Sequence, residues 1–201
     1  TATRHGSITE LYRGQGASLT DLDPDPCGTN PESGAAPSAT QAQCANTGLA
    51  ASLYGSDLKS PADQYNILTG GNPNLRPEES ESTTIGVVWT PSSMDGLTVT
   101  LDYFDILVED RIGTIPAQTS LDKCLATGNT TFCSLIERDP VMGSLWVSPG
   151  RIITTNTNVA ETSTSGFDII FDYVLDTGIG PIGLKGISTI VDSDTLIVLP
   201  G

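Results

Sequence analysis

Two stretches of the chain alternate apolar and polar side chains with a period of two, and two long stretches do not. Thr84–Thr90 places Ile85, Val87 and Trp89 on one face and Thr84, Gly86 and Thr90 on the other, with Val88 as the exception. After a short turn at 91–96, Leu97, Val99, Leu101 and Tyr103 alternate with Thr98, Thr100, Asp102 and Phe104. This spacing predicts a β-hairpin over 82–110 with one apolar and one largely polar face. A second hairpin is predicted within 151–194. Its first strand carries Phe167, Ile169, Phe171, Tyr173 and Leu175 on one side, and Gly166, Asp168, Asp172 and the apolar Ile170 and Val174 on the other. The turn falls at Asp176–Pro181. The returning strand, Ile182–Asp194, sets Ile182, Leu184 and Ile190 against Lys185 and Thr189, while Ile187 and Val191 fit neither face cleanly. Residues 12–80 are dominated by Gly, Pro, Ser, Asn, Asp and Ala and read as one very long loop. Residues 111–150 read as a second loop holding two helical turns. Ser120–Thr127 stops at Gly128, and Thr130–Arg138 stops at Asp139-Pro140.

Short turns and long loops therefore alternate along the chain. That asymmetry is the one found in outer-membrane barrels, with short periplasmic turns and long extracellular loops. The predicted fold class is all-β, with antiparallel strands belonging to a large transmembrane β-barrel and long extracellular loops carrying short helical turns. Asp102, Asp168 and Asp172 suit a watered lumen, because a carboxylate in a dry core costs several kcal/mol unless paired. Trp89, Tyr103 and Tyr173, near strand ends, suit an interfacial girdle. An antiparallel sandwich with one wet face produces the same alternation and stands as the alternative.

Charge narrows the function. The 201 residues carry 9 Lys+Arg against 24 Asp+Glu, a formal net charge of −15. Nucleic-acid affinity comes chiefly from clustered Lys and Arg, so the acidity argues against a phosphate-backbone binder. Charged residues are only 16% of the chain, so the acidity reflects few bases and not many acids. No apolar run reaches the roughly 18 residues of a membrane helix. A membrane β-strand needs only about 9–11 residues, and composition does not bear on it. The N-terminal Thr1–Gly6 has no leader pattern and no initiator Met, and the chain stops after a strand-like run at Leu196–Gly201, so both ends are read as those of an excised segment.

Cys27, Cys44, Cys124 and Cys133 form two local pairs in polar, turn-rich stretches. Zinc spacing is absent and His5 is the only histidine. Disulfides Cys27–Cys44 and Cys124–Cys133 are expected, in an oxidising compartment, with four free thiols as the alternative.

Against this background, Gly71-Asn72-Pro73-Asn74-Leu75-Arg76-Pro77-Glu78-Glu79-Ser80 resembles the GNPxLxPE-S segment of TonB-dependent outer-membrane receptors. Thr83–Pro91 is similar to the strand TxxxGxxWxP that follows it there, and Leu97–Ile106 to the next strand with its DYF/Y-x-I signature. Ser7–Tyr12, Ile112–Gln118 with Cys124 and Cys133, and Ser165-Gly166-Phe167-Asp168 add weaker matches in the same order. The resemblance implies a late part of a plugged barrel of roughly 22 strands. It also implies a Gram-negative outer-membrane location, contact with outer-membrane lipid, and energised uptake of a scarce nutrient with the TonB–ExbB–ExbD system as partner. The family's plug domain, its TonB-contacting box and its C-terminal aromatic strand are not in this sequence. This polypeptide alone is therefore expected not to transport, and the isolated chain to self-associate.

Other motifs carry less. Gly178-Ile179-Gly180-Pro181-Ile182-Gly183 spells GxGxxG, but Pro181 and the strand after it replace the helix a dinucleotide needs. Asp21, Asp23, Asp25 and Glu32 have EF-hand spacing, but Pro26 stands where that loop requires Gly. Nothing marks a catalytic site or a cofactor, and an enzyme is not expected. Pairing Asp102, Asp168 and Asp172 as a glycosidase couple is less economical than a lumen lining. Ligand contact is assigned to Tyr54, Tyr65 and Trp146 in the two loops, whose rings could stack on a solute. The competing function is a soluble, disulfide-braced β-sandwich binding a glycan or protein at the cell surface.

Overall fold

The computed structural model describes residues 1–197. In chain order its elements are β1 (Ala2–Arg4), α1 (Ile8–Tyr12), β2 (Gly16–Asp21), α2 (Gln41–Asn46), a 3-10 turn (Ala51–Leu53), β3 (Gln64–Thr69), β4 (Glu78–Trp89), β5 (Leu97–Gly113), α3 (Ala117–Thr127), α4 (Thr130–Cys133), β6 (Ile136–Glu137), β7 (Arg151–Ile153), β8 (Thr157–Thr177) and β9 (Gly180–Ile197). They fall into two units. A sheet unit takes Thr1–His5, Arg76–Ile112 and the described residues from Asn158 onward. A disulfide unit takes Gly6–Leu75 and Gly113–Thr157.

The sheet unit is a five-stranded sheet in the order β1-β4-β5-β8-β9. β4 and β5 pair antiparallel with Ile85 opposite Tyr103, Val87 opposite Leu101 and Trp89 opposite Val99. β8 and β9 pair with Phe167 opposite Ile190, Tyr173 opposite Leu184 and Leu175 opposite Ile182. The rings of Tyr103 and Phe167 meet at 5.3 Å between centroids, which puts the apolar sides of both hairpins on one face. The ring of Phe171 lies over Gly186, its cross-strand partner, where any Cβ would collide with it. The GxGxxG run is the hairpin turn, with Thr177 opposite Gly180 and only Gly178 and Ile179 between them.

Within this unit no layer covers that face among the described residues. Ile85, Val87, Trp89 and Ile190 are each more than half exposed, and Val159 is the one core apolar residue of this unit among the described residues. A sandwich requires a second sheet packed about 10 Å away on the apolar face; the sheet unit holds no such second sheet among the described residues, so that alternative is not supported. Strand is 45% and helix 15% of the described residues, so the mostly-β expectation holds. Among the described residues the sheet is open and no closed barrel is present. In buffer without detergent the chain is expected to self-associate through its apolar face and open edges. Sedimentation velocity checks this, and a stable monomer without detergent contradicts it.

The disulfide unit holds almost all the core. Its four-stranded sheet runs β2-β3-β7-β6, with β2-β3 antiparallel and β3-β7 parallel. Leu58, Tyr65, Ile115, Leu121, Leu145 and Ile152 are fully buried there. Both expected disulfides are present, Cys27–Cys44 and Cys124–Cys133, and no cysteine is free. α3 ends at Gly128, whose φ of 65° closes the helix by donating its N–H to the Cys124 carbonyl.

Several boundaries differ from the sequence reading. Residues 12–80 are not one irregular loop: they contain β2, α2 and β3. The strands are short, and Ile67 and Leu68 are adjacent and not alternating, so they carry no period-two signal. The first hairpin begins at Glu78 and runs to Gly113, past both expected limits, because a strand wet on both faces tolerates the polar run Glu78–Ser82. Arg151–Ile153 belongs to the disulfide unit's sheet and not to the second hairpin. The second helical turn stops at Cys133, since Ile136–Glu137 leave it to pair with β7. Residues 198–201, part of the expectation for the C-terminal end, lie outside the described residues.

Candidate functional site

The polar face of the sheet unit carries the three expected carboxylates. Asp102 stands opposite Gly86 and lies over it, in space a side chain would fill. Asp168 accepts a hydrogen bond from the Thr189 hydroxyl at 2.6 Å. Asp172 is 3.7 Å from the Lys185 ammonium. The Val174 N–H donates to the Gly96 carbonyl, the Tyr103 and Phe167 rings meet, and Phe104 reaches Gly166. These contacts fix one antiparallel register between β5 and β8, with Asp102 opposite Asp168. Like charges facing each other destabilise a sheet unless water screens them. The same face also carries Ile170 opposite Ile187 and Gly166 opposite Val191, so it is mixed and not uniformly polar.

In the disulfide unit the three rings assigned to ligand contact differ in exposure. Tyr65 is 1% exposed and a core residue, so its ring cannot meet an external solute. Its hydroxyl accepts from the Ser60 N–H at 3.4 Å. Tyr54 is half-buried, and its hydroxyl donates to the Ala39 carbonyl at 2.9 Å. Trp146 is half-buried, and its indole N–H is enclosed without a partner among the described residues. No ring contact joins the three among the described residues.

Burial pushes the Tyr65 phenol above its usual value. A folded-state pKa above the unfolded one gives stability that is complete below the unfolded value, near 10, and lost as pH rises through the folded one. The unit is therefore expected to weaken above about pH 10. Tyr65→Phe removes that tyrosine's share of the slope, and denaturant titrations at pH 9 and pH 11 check it. An identical slope in the variant contradicts the assignment.

The acidic segment is consumed internally. Asp25 forms a buried ion pair with Arg138, Nη1 to Oδ2 at 2.6 Å, with side-chain exposures of 0% and 2%. Glu32 accepts from Lys59 at 2.7 Å; that hydrogen bond holds the carboxyl below its ordinary range and the ammonium above its own. Both Glu32 and the bond are solvated, so the pair adds little stability. Asp21 and Asp23 are exposed, and no group of three or more His, Cys, Asp or Glu among the described residues could hold a metal ion.

The Gly71–Glu78 segment ties chain segments together. Asn72 donates its N–H to the Glu10 carbonyl and its side-chain amide to the Asn156 carbonyl, while Asn156 donates to Glu10 in turn. A Cβ on Gly71 would lie 2.7–2.8 Å from Leu11 and Arg13 backbone atoms, so only glycine fits that approach. In the sheet unit, Glu78 accepts from Nε and Nη2 of Arg4 in a fork at 2.6 and 2.7 Å and accepts the Ile112 N–H. Two arginines escaped sequence reasoning, Arg138 and Arg13. Neither has a local motif, and both depend on segments brought together by folding.

The chain matches the family described as TonB dependent receptor-like, beta-barrel, over residues 29–191, well over half its length. No curated protein matches it.

Proposed function

The chain belongs to the TonB-dependent receptor β-barrel family of the bacterial outer membrane, and from that premise we propose that it supplies part of the wall and outer vestibule of a transporter for a scarce nutrient. The family implies contact with TonB through the parent receptor. In this reading the sheet unit is a lipid-facing wall. The observation that carries it is the exposed apolar face of Ile85, Val87, Trp89, Phe167 and Phe171. Carboxylates 102, 168 and 172 lie on the opposite side. From Phe167 to Leu175 that apolar face spans about 26 Å at roughly 3.3 Å per residue, close to the apolar band of a transmembrane barrel.

Asp102, Asp168 and Asp172 then line the lumen, where water screens the facing pair. Solute contact is made by the disulfide unit in this reading, with Tyr54 and Trp146 as its partly exposed rings. The cargo is a siderophore, a carbohydrate or a similar solute. Energy comes from TonB–ExbB–ExbD acting on the parent receptor.

The test is uptake by cells expressing the parent receptor, supplied with labelled ferric siderophores and labelled oligosaccharides, with and without TonB. Accumulation of one class that stops when TonB is removed supports the reading. Accumulation indifferent to TonB, or none of either class, overturns it.

A further inference from the structure

A cavity of about 410 Å³ lies within the disulfide unit, lined by Arg13, Thr20, Thr114 and Asn156 on its polar side and by Ile67 and Ile115 on its apolar side. No carboxylate lines it. Arg13, an exposed side chain, is the one charged residue in that lining. Six of the nine Lys and Arg residues hold a carboxylate: Arg4, Lys59, Arg76, Arg138, Arg151 and Lys185. The Arg13 guanidinium has no hydrogen-bond or ion-pair partner among the described residues, although acids outnumber bases in this chain by 24 to 9. The hydroxyls of Thr20 and Thr114 are likewise without partners among the described residues, while Asn156 is anchored by donating to the Glu10 carbonyl at 3.0 Å.

We propose that this cavity binds the carboxylate end of a hydroxylated monoanion, a sugar acid in chemical class. The proposal deepens the transport reading above and rests on it for its physiological meaning. A guanidinium presents a planar fork of donors that matches a carboxylate with two parallel bonds. The threonine hydroxyls can donate to and accept from the hydroxyls of a sugar ring, because each is both donor and acceptor. Ile67 offers an apolar wall for the C–H face of that ring. Pro116, the N-cap of α3, carries no side-chain acceptor, so the first-turn N–H groups beside it add donors of the same sign. The volume falls in the range of small-molecule sites, roughly 300–1,000 Å³.

Charge selects within the anions. One cation neutralises one carboxylate. A phosphate dianion or a tricarboxylate finds no second cation in the cavity lining and meets a surface of net negative charge on approach. A neutral sugar leaves the guanidinium unanswered once it is desolvated, so its binding is weaker.

The experiment is calorimetric titration of the whole chain in detergent micelles with D-glucuronate, its methyl ester, D-glucose and inorganic phosphate. D-glucuronate is expected to bind saturably. The ester, glucose and phosphate are each expected to bind at least about tenfold more weakly, the loss expected when a charge-assisted pair is not formed. Arg13→Gln is expected to lose at least about tenfold for D-glucuronate and to leave glucose unchanged. Arg13→Lys keeps the charge without the fork and falls between. Arg151→Gln, which breaks a surface pair with Glu137 away from this cavity, leaves binding intact. Non-reducing mapping of both disulfides and near-ultraviolet circular dichroism confirm that each variant is folded.

Glucose or phosphate binding as tightly as glucuronate, an unchanged affinity in folded Arg13→Gln, or no saturable binding of glucuronate to folded chain each overturns the proposal. Failure of the transport reading looks different. In that case purified chain still binds glucuronate, while cells accumulate neither class of nutrient in a TonB-dependent way. If only the cavity assignment fails, TonB-dependent uptake persists and the purified chain ignores glucuronate.

Discussion

Arg138→Met is expected to destabilise the disulfide unit by about 3–5 kcal/mol, the cost of leaving a buried carboxylate without its partner. The side chain of Asp25 is 0% exposed and that of Arg138 2%, so water cannot replace the lost guanidinium. The pair is a fork, with Nη1 to Oδ2 at 2.6 Å and Nη2 to Oδ1 at 3.2 Å. The same guanidinium donates from Nε to the Thr47 hydroxyl and from Nη1 to the Gly143 carbonyl, both at 2.8 Å. One side chain therefore holds three segments, and the variant orphans an acceptor in each. Asp25 retains only the Cys27 N–H, at 3.0 Å. Arg138→Lys keeps the charge but cannot fill the fork, and an intermediate loss is expected. The double change Asp25→Leu with Arg138→Met is expected to recover much of the loss, because apolar groups of similar volume replace a buried ion pair at little net cost. Denaturant titration followed by tryptophan fluorescence, with disulfides intact, checks the series. A loss below about 1 kcal/mol in Arg138→Met would mean that the pair is solvated after all.

That pair also marks the limit of what was legible in the sequence. Asp25 and Arg138 are 113 residues apart, and each sits in a stretch that by itself reads as loop. Asp25 could be seen only as one acid among several at EF-hand spacing. Arg13 has the same difficulty, because a single arginine among glycines gives no local signal. The readable parts were those whose information is local. Ile85, Val87 and Trp89 repeat at period two because they share one face, and that face survives intact in the register with Tyr103, Leu101 and Val99. The cysteine pairs were readable because each closes a short loop, with separations of 17 and 9 residues.

Ile187 and Val191 blurred the last strand because they are apolar residues on the carboxylate-bearing face, opposite Ile170 and Gly166, and the register irregularity lies beyond them. The pairing shifts between Ser165 and Gly166, so that Ser165 faces Ser193 while Gly166 faces Val191, and Asp192 is the extra residue. Tyr65 failed for a different reason. Residue type alone gives an aromatic ring equal claim to a core or to a ligand, and only the packing of β3 decides that it is buried.

The second large effect belongs to the apolar face. Ile169→Arg is expected to cost about 2–4 kcal/mol in a bilayer if it sits near the midplane, because a guanidinium there loses its hydration without gaining a partner. Ile169 lies on β8 between Phe167 and Phe171 on the apolar face, opposite Ser188, which offers no counter-charge. Asp168→Arg is the matched control, one residue away on the other face. It removes the bond from Thr189 but also relieves the facing of Asp168 and Asp102, and a watered surface solvates the new cation. The expected loss there is under about 1 kcal/mol, the scale of a single solvated polar contact. The pair of variants reads the orientation of the wall without knowledge of the cargo. Unfolding of the parent receptor from liposomes, followed by the heat-dependent gel mobility of a folded barrel, measures both. Equal damage at 168 and 169 would mean that both faces are dry and that the carboxylates do not line water. Damage confined to 168 would turn the sheet around, with the apolar face inward, and would remove the basis for assigning Asp102, Asp168 and Asp172 to the lumen.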